Sequence, residues 1–182
     1  MNSKQIIVVV GCGMVAIFLI VLLANQKDCF RSETPGTLGT PCVCAFDLDH
    51  TLSCGDPRPL VAECKAKGCV LAINTARPTK FVSDIPLTSF GLTYDPEDHH
   101  YQPHSYLQTP QKTAEIKSHY LGVLRDKYSV RSKSCVILFD DARWNLEAAK
   151  SHGFSTVAAS DTGECGLHHT KTDSLRDILR RC

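Results

Sequence analysis

Three short stretches of this chain place carboxylates, a hydroxyl and cations directly after apolar runs. Asp47-Leu48-Asp49-His50-Thr51 follows 43–46, Asn74-Thr75-Ala76-Arg77 follows 69–73, and Asp140-Asp141 follows 136–139. Lys112 stands near the start of a segment with helical spacing that leads into the third run. Gathered at one place, they set four carboxylates beside a hydroxyl and an ammonium. Four carboxylates repel one another, and some would have to stay protonated unless a cation offsets them. Oxygen donors without thiolate or imidazole suit Mg²⁺, which binds one or two carboxylates together with substrate phosphate. A phosphate also wants a hydroxyl donor and a lysine charge, which Thr75 and Lys112 supply. The chemistry of this inventory is phosphoryl transfer.

Gathering them requires particular elements. The runs 43–46, 69–73, 136–139 and 156–159 predict short buried strands, with a minor strand at 91–94. Between them, 59–67 and 142–152 predict helices, a helix begins near Pro78, and 174–181 forms the last one. Thr109-Pro110 reads as an N-cap followed by proline at the first helical position, opening a helix to about Tyr128 on Ile116, Tyr120, Leu121 and Leu124. Alternating strands and helices predict a parallel sheet flanked by helices. In such sheets ligands bind beyond the carboxyl ends of the strands, where all three stretches lie.

FDLDHTL with Asp47 and Asp49, the strand-end Thr75, the helix-start Lys112, and FDDARWN with Asp141 and Asn145 resemble, in order, the four motifs of the haloacid dehalogenase superfamily. Within it, the surroundings of Thr75 and Lys112 and the Asp-Asp with Asn four residues on resemble the small capless magnesium-dependent phosphatases. The resemblance implies a Rossmann-like α/β fold without a large cap. It implies that Asp47 attacks phosphorus to form an aspartyl-phosphate while Asp49 protonates the leaving oxygen and then activates water. It places Mg²⁺ among Asp47, the backbone carbonyl of Asp49 and Asp141, with Asp140 and Asn145 completing the shell partly through water. Thr75, Ala76 and Lys112 would hold the phosphate, with Thr51 and Arg77 in support.

Each residue has a plainer reading beside this one. A DxD after a strand can be a solvated turn capped by Thr51. Asp140 can serve only to bond its neighbours, which leaves Asp141 as the better metal ligand. Arg77 either binds phosphate or flanks Pro78. Lys117 is the alternative to Lys112, although it lies over a turn deeper in the helix and is expected to face solvent. His99, His100 and His104 form a metal cluster only if something fixes their polar loop. His50 is expected to point away from the nucleophile across the strand.

The 182 residues are 43% hydrophobic and 21% charged with a net charge of +1, which excludes a disordered acidic tail or a basic nucleic-acid arm. Residues 6–24 contain no charge, and 19 residues make roughly 28 Å of helix, enough to span a bilayer. A cleaved signal peptide fits less well, because Leu22 occupies a position where a small residue is wanted. The expected organisation is a flank at 1–5, a transmembrane anchor at 6–24, a linker at 25–40 and one domain at 41–182. Lys4 on one side against Lys27 and Arg31 on the other leaves orientation undecided. Of ten cysteines nine lie outside the anchor, an odd number without a CxxC pair, and most are read as reduced core thiols, which favours a cytoplasmic-facing domain. The 27 residues from Asp47 to Thr75 and 36 from Thr75 to Lys112 leave no room for a folded cap. An open site admits bulky substrates such as a phosphoprotein or a nucleic-acid end. Two other classes remain at this stage: a membrane-tethered, non-catalytic phosphate-binding protein on the same scaffold, and a receiver-like phosphoacceptor.

Overall fold

The computed structural model describes residues 42–77, 82, 86–92, 109–159, 165–167 and 171–182, and the backbone of 99–100. The predicted anchor and linker and the helix near Pro78 lie outside or mostly outside them. Among the described residues no helix is long and apolar enough to cross a membrane.

Among the described residues five parallel strands form one sheet: β1 (Val43–Phe46), β2 (Val70–Asn74), β3 (His99–His100), β4 (Val136–Asp140) and β5 (Ser155–Ala158). Their order is β3-β2-β1-β4-β5. β1 and β4 are buried along their whole length, as expected of central parallel strands covered on both faces. Among the described residues four helices flank them: α1 (Arg58–Ala66), α2 (Pro110–Lys127), α3 (Arg143–Ser151) and α4 (Thr172–Leu179). Phe46 and Phe139, register partners on β1 and β4, stack with ring centroids 4.3 Å apart. This pair anchors the strand ends that carry Asp47 and Asp140.

The order decides where a ligand can sit. From β1 the chain winds outward through β2 to β3, then returns to β4 on the other side of β1, so a topological switch lies between β1 and β4. Crevices at such switch points are the usual ligand sites of open α/β sheets. A receiver-like domain instead has the doubly wound order 2-1-3-4-5, and the observed order sets that alternative aside.

Two local expectations are corrected. Gly91 and Leu92 form no strand; Gly91 ends a short 3₁₀ turn, Leu87–Phe90, in a left-handed conformation. The minor strand is His99–His100, which pairs with Ile73 and Asn74 of β2. Backbone pairing makes it a strand, and an apolar pattern does not mark it. Only the backbone of His99 and His100 is described, and His104 lies outside the described residues.

The cysteine reading is corrected more thoroughly. Among the described residues, eight cysteines form four disulfides: Cys42–Cys69, Cys44–Cys64, Cys54–Cys165 and Cys135–Cys182. Cys29 lies outside the described residues. Loop closure by such crosslinks contributes about 3–5 kcal/mol each in the chain-entropy picture, without simple additivity. Against a typical total of about 5–15 kcal/mol, crosslinking is a principal support of this fold.

Cys54–Cys165 ties the loop after β1 to the segment 165–167. The same joint carries Asp56 N–H to Leu167 O (2.9 Å), Leu167 N–H to Thr51 O (3.2 Å) and a Gly55–Leu167 bridge. The segments approach so closely that a Cβ at Gly166, where φ is +90°, would lie 1.8 Å from the Cys54 carbonyl oxygen. Cys165 is exposed and Cys54 partly so, whereas Cys42, Cys44, Cys64 and Cys69 are buried. Because thiolate attack needs access, mild thiol should open Cys54–Cys165 before Cys42–Cys69 or Cys44–Cys64. Alkylation and peptide mapping over a reduction series would show it; labelling of the four buried cysteines first would contradict this packing.

Candidate active site

Asp47 is the first residue past β1, and its N–H continues the ladder to the Phe139 carbonyl at 2.9 Å. The nucleophile candidate is therefore fixed by sheet geometry. The neighbouring strands end at Asn74-Thr75 and Asp140, one register step beyond the pairs Phe46–Ile73 and Phe46–Phe139. Asp47, Thr75 and Asp140 are brought to one edge as the sequence implied.

The lysine at this edge is Lys117. Its Nζ donates to Asp47 Oδ1 at 2.7 Å and to Asp140 Oδ2 at 2.6 Å, with all three side chains buried. Lys112 is exposed in the first turn of α2, where its backbone N–H bonds the capping Thr109 hydroxyl at 3.3 Å. The expectation at Lys112 is thus corrected to Lys117, and the reason is helical phase. The buried face of α2 runs through Ala114, Lys117, Ser118, Leu121 and Leu124, spacings of three and four that put Lys117 on the inward stripe. Asn74, passed over in the sequence, holds that turn by donating from Nδ2 to the Lys117 carbonyl at 3.1 Å.

Asp140 is fully enclosed. Beyond Lys117, its carboxylate accepts from Ala142 N–H at 2.9 Å and from Asn145 Nδ2 at 2.9 and 3.1 Å. It therefore bonds its neighbours, joining β4, α2 and the start of α3. Asp141 is partly exposed and lies with Asp47 and Asp140 in a group whose oxygens fall within 4.8 Å of one another. Asp49 stands outside that group, in a kinked loop over Leu48–Leu52 where His50 takes a left-handed conformation at φ 54°. Its carboxylate pairs with Arg77, whose Nη2 meets Oδ1 and whose Nε lies 3.3 Å from Oδ2. Thr75 is buried, and its hydroxyl oxygen accepts from Arg77 N–H at 3.1 Å, keeping its own proton for another acceptor. Ala76 is half-buried between them. Thr51 is buried with no partner for its hydroxyl among the described residues. His50 lies on no strand; its Nδ1 is 3.7 Å from Cys165 Sγ.

The electrostatics follow from one ammonium serving two buried carboxylates. Burial pushes Asp47 up to about 7, Lys117 opposes that rise, and Asp140 adds to it. For Lys117, burial works against the charge, but Asp47 and Asp140 outweigh it and hold the proton more tightly than usual. Asp141 is also raised, by burial and then by Asp140. Three carboxylates against one lysine leave excess negative charge at an all-oxygen site, the condition a hard divalent cation relieves. Asp47 and Asp141 fit Mg²⁺, with Asp140 beside them.

Linkage gives this charge a measurable sign. Asp47 titrates near 3.8 when unfolded and near 7 when folded. Stability from this group is therefore fully present below 3.8 and is lost as pH rises through about 7. Lys117 adds no slope there, since its ordinary value is 10.5 and its shift is upward. In metal-free protein, Asp47→Asn should gain stability relative to wild type as pH rises from about 4 to about 7.5. Denaturant titrations in chelator would detect it, and a difference independent of pH would contradict the charge balance.

No protein-family model matches the chain. No curated protein matches it significantly. Solved structures do resemble it. One is the NMR structure of the core domain of a protein named a phosphoglycolate phosphatase, from Streptococcus pneumoniae TIGR4; the TM-score is 0.49 and the identity 18%, over 78% of this chain and 96% of that one. Another is a HAD hydrolase, family IA, variant 3, from Entamoeba histolytica HM-1:IMSS, with TM-score 0.43 and 16% identity over 66% of this chain and 58% of that one.

Proposed function

We propose that this protein is a magnesium-dependent phosphomonoester hydrolase that works through an aspartyl-phosphate on Asp47. The observation that carries the reading is the buried Lys117 bridging Asp47 and Asp140 at the sheet's switch point, with Asp141 alongside. An anionic nucleophile approaches an anionic phosphoryl group only where fixed cations offset both charges. Lys117 supplies one such charge, and Mg²⁺ held by Asp47 and Asp141 would supply the other and polarise a phosphoryl oxygen. Asp47 Oδ attacks phosphorus while Asp49 passes a proton to the departing alcohol oxygen. Asp49 then takes a proton from the water that cleaves the acyl-phosphate. Thr75 O–H and the neighbouring backbone at Ala76 receive the phosphoryl oxygens.

The substrate class follows from what surrounds the site. Between Asp47 and Thr75 the chain contains α1 and β2 and no inserted domain. That supports an open site able to take the phosphorylated end of a protein or nucleic acid. The four disulfides support operation in an oxidising compartment, in place of the cytoplasmic-facing reading drawn from reduced thiols. Residues 6–24 would tether the domain to a membrane facing that compartment.

Hydrolysis of p-nitrophenyl phosphate that requires Mg²⁺ and stops in chelator tests the reading; no turnover with the metal present would reject it. Within it, Asp49→Asn should lose about a hundredfold on an alkyl phosphate and far less on p-nitrophenyl phosphate, whose leaving oxygen scarcely needs a proton. Equal losses on both would remove Asp49 from the acid role.

A further inference from the structure

We propose that Arg77 is exchanged during the reaction: its guanidinium holds the Asp49 carboxylate in the empty site, then passes to the phosphoryl oxygens of a bound substrate and releases Asp49 toward the leaving oxygen. The inference rests on the phosphatase reading and adds a step to it. Arg77 engages both oxygens of Asp49 through Nη2 and Nε, so neither oxygen is directed at a substrate while that fork is closed. The root of Arg77 is fixed beside the phosphate subsite, because its N–H bonds the Thr75 hydroxyl at 3.1 Å. Its side chain is 26% exposed and that of Asp49 48%, so the pair lies at the mouth of the site, where ion pairs are weakly held. A phosphoryl dianion offers the guanidinium the same planar fork with more charge. Lys117 cannot make this exchange, being buried and committed to Asp47 and Asp140.

The step balances. Arg77 stays protonated throughout. Asp49, once released, carries a proton drawn from solvent to the alkoxide oxygen as its P–O bond breaks and the Asp47–P bond forms. The alcohol leaves. Water then gives Asp49 a proton and attacks phosphorus, the Asp47–P bond breaks, and inorganic phosphate departs. Asp49 gives that proton back to solvent, and Arg77 returns to its carboxylate.

Exchange has a thermodynamic signature separate from turnover. If phosphate must take Arg77 from Asp49, Asp49 competes with phosphate, and removing its charge tightens phosphate binding more when Arg77 is present than when it is absent. If Arg77 stays on Asp49 and merely screens it, the dependence has the opposite sign. The experiment is calorimetric binding of inorganic phosphate, with Mg²⁺, to wild type, Asp49→Asn, Arg77→Gln and the double variant. Arg77→Gln should weaken phosphate about tenfold. Asp49→Asn should tighten it about fivefold with Arg77 in place and less than about twofold in the Arg77→Gln background. Equal tightening in both backgrounds, greater tightening without Arg77, or unchanged affinity in Arg77→Gln would each overturn the exchange. Turnover of p-nitrophenyl phosphate by wild type, run in parallel, shows separately whether the phosphatase reading stands.

Discussion

Lys117→Met is expected to lower kcat/KM by about a hundred- to a thousandfold while leaving a folded but weakened protein, and Lys112→Met to change neither quantity measurably. The methionine fills the volume of the lysine stem but leaves Asp47 and Asp140 buried without their shared cation. Breaking a buried ion pair from one side typically costs about 3–5 kcal/mol. The disulfides make survival of the fold reasonable at that cost, and thermal unfolding measures it. The loss of rate has a separate origin: removing a preorganised charge from a phosphoryl site costs about 10²–10³ in rate. Lys112, exposed at the first turn of α2, touches none of the carboxylates. An inactive Lys112→Met with a normal Lys117→Met would return the role to Lys112.

The lysine at the site was only partly legible in the sequence. Strands β1, β2 and β4 were readable because each is a short apolar run ending in polar residues, and these endings placed Asp47, Thr75 and Asp140 together. The start of α2 was readable from Thr109-Pro110, and the Thr109 side chain does accept the Lys112 N–H. The identity of the inward lysine was also present, in the phase shared by Ala114, Lys117, Leu121 and Leu124. It was hidden by the bias that a long charged side chain faces water. Nothing local could have paired the cysteines. Cys42 and Cys69 precede adjacent strands, and Cys44 reaches from β1 to Cys64 on α1, so each partner is set by packing. The Asp49–Arg77 pair spans 28 residues, beside a left-handed turn at His50, so it too is set by tertiary folding.

Asp47→Asn should abolish turnover, with a loss of at least about a thousandfold, or ~4 kcal/mol of transition-state stabilisation. The amide is nearly isosteric, and the Asp47 N–H bond to Phe139 O belongs to the backbone, so the fold should persist. Its stability relative to wild-type metal-free protein should rise toward neutral pH, because burial disfavours the charge of Asp47 there. An amide cannot form a comparable acyl-phosphate, so positioning by Lys117 and Thr75 can rescue only a small residue of the rate. A folded Asp47→Asn variant retaining more than about a tenth of wild-type turnover, a loss under ~1.4 kcal/mol, would exclude Asp47 as nucleophile.

The most direct test is to catch the covalent species. Wild-type protein turning over a phosphomonoester with Mg²⁺ can be acid-quenched, its acyl-phosphate reduced with borohydride, and the peptides mapped by mass spectrometry. The account predicts reductive conversion to homoserine at position 47 alone, absent without substrate and absent in Asp47→Asn. Steady turnover with no modified aspartate, or modification at Asp49, Asp140 or Asp141 in place of Asp47, would contradict it.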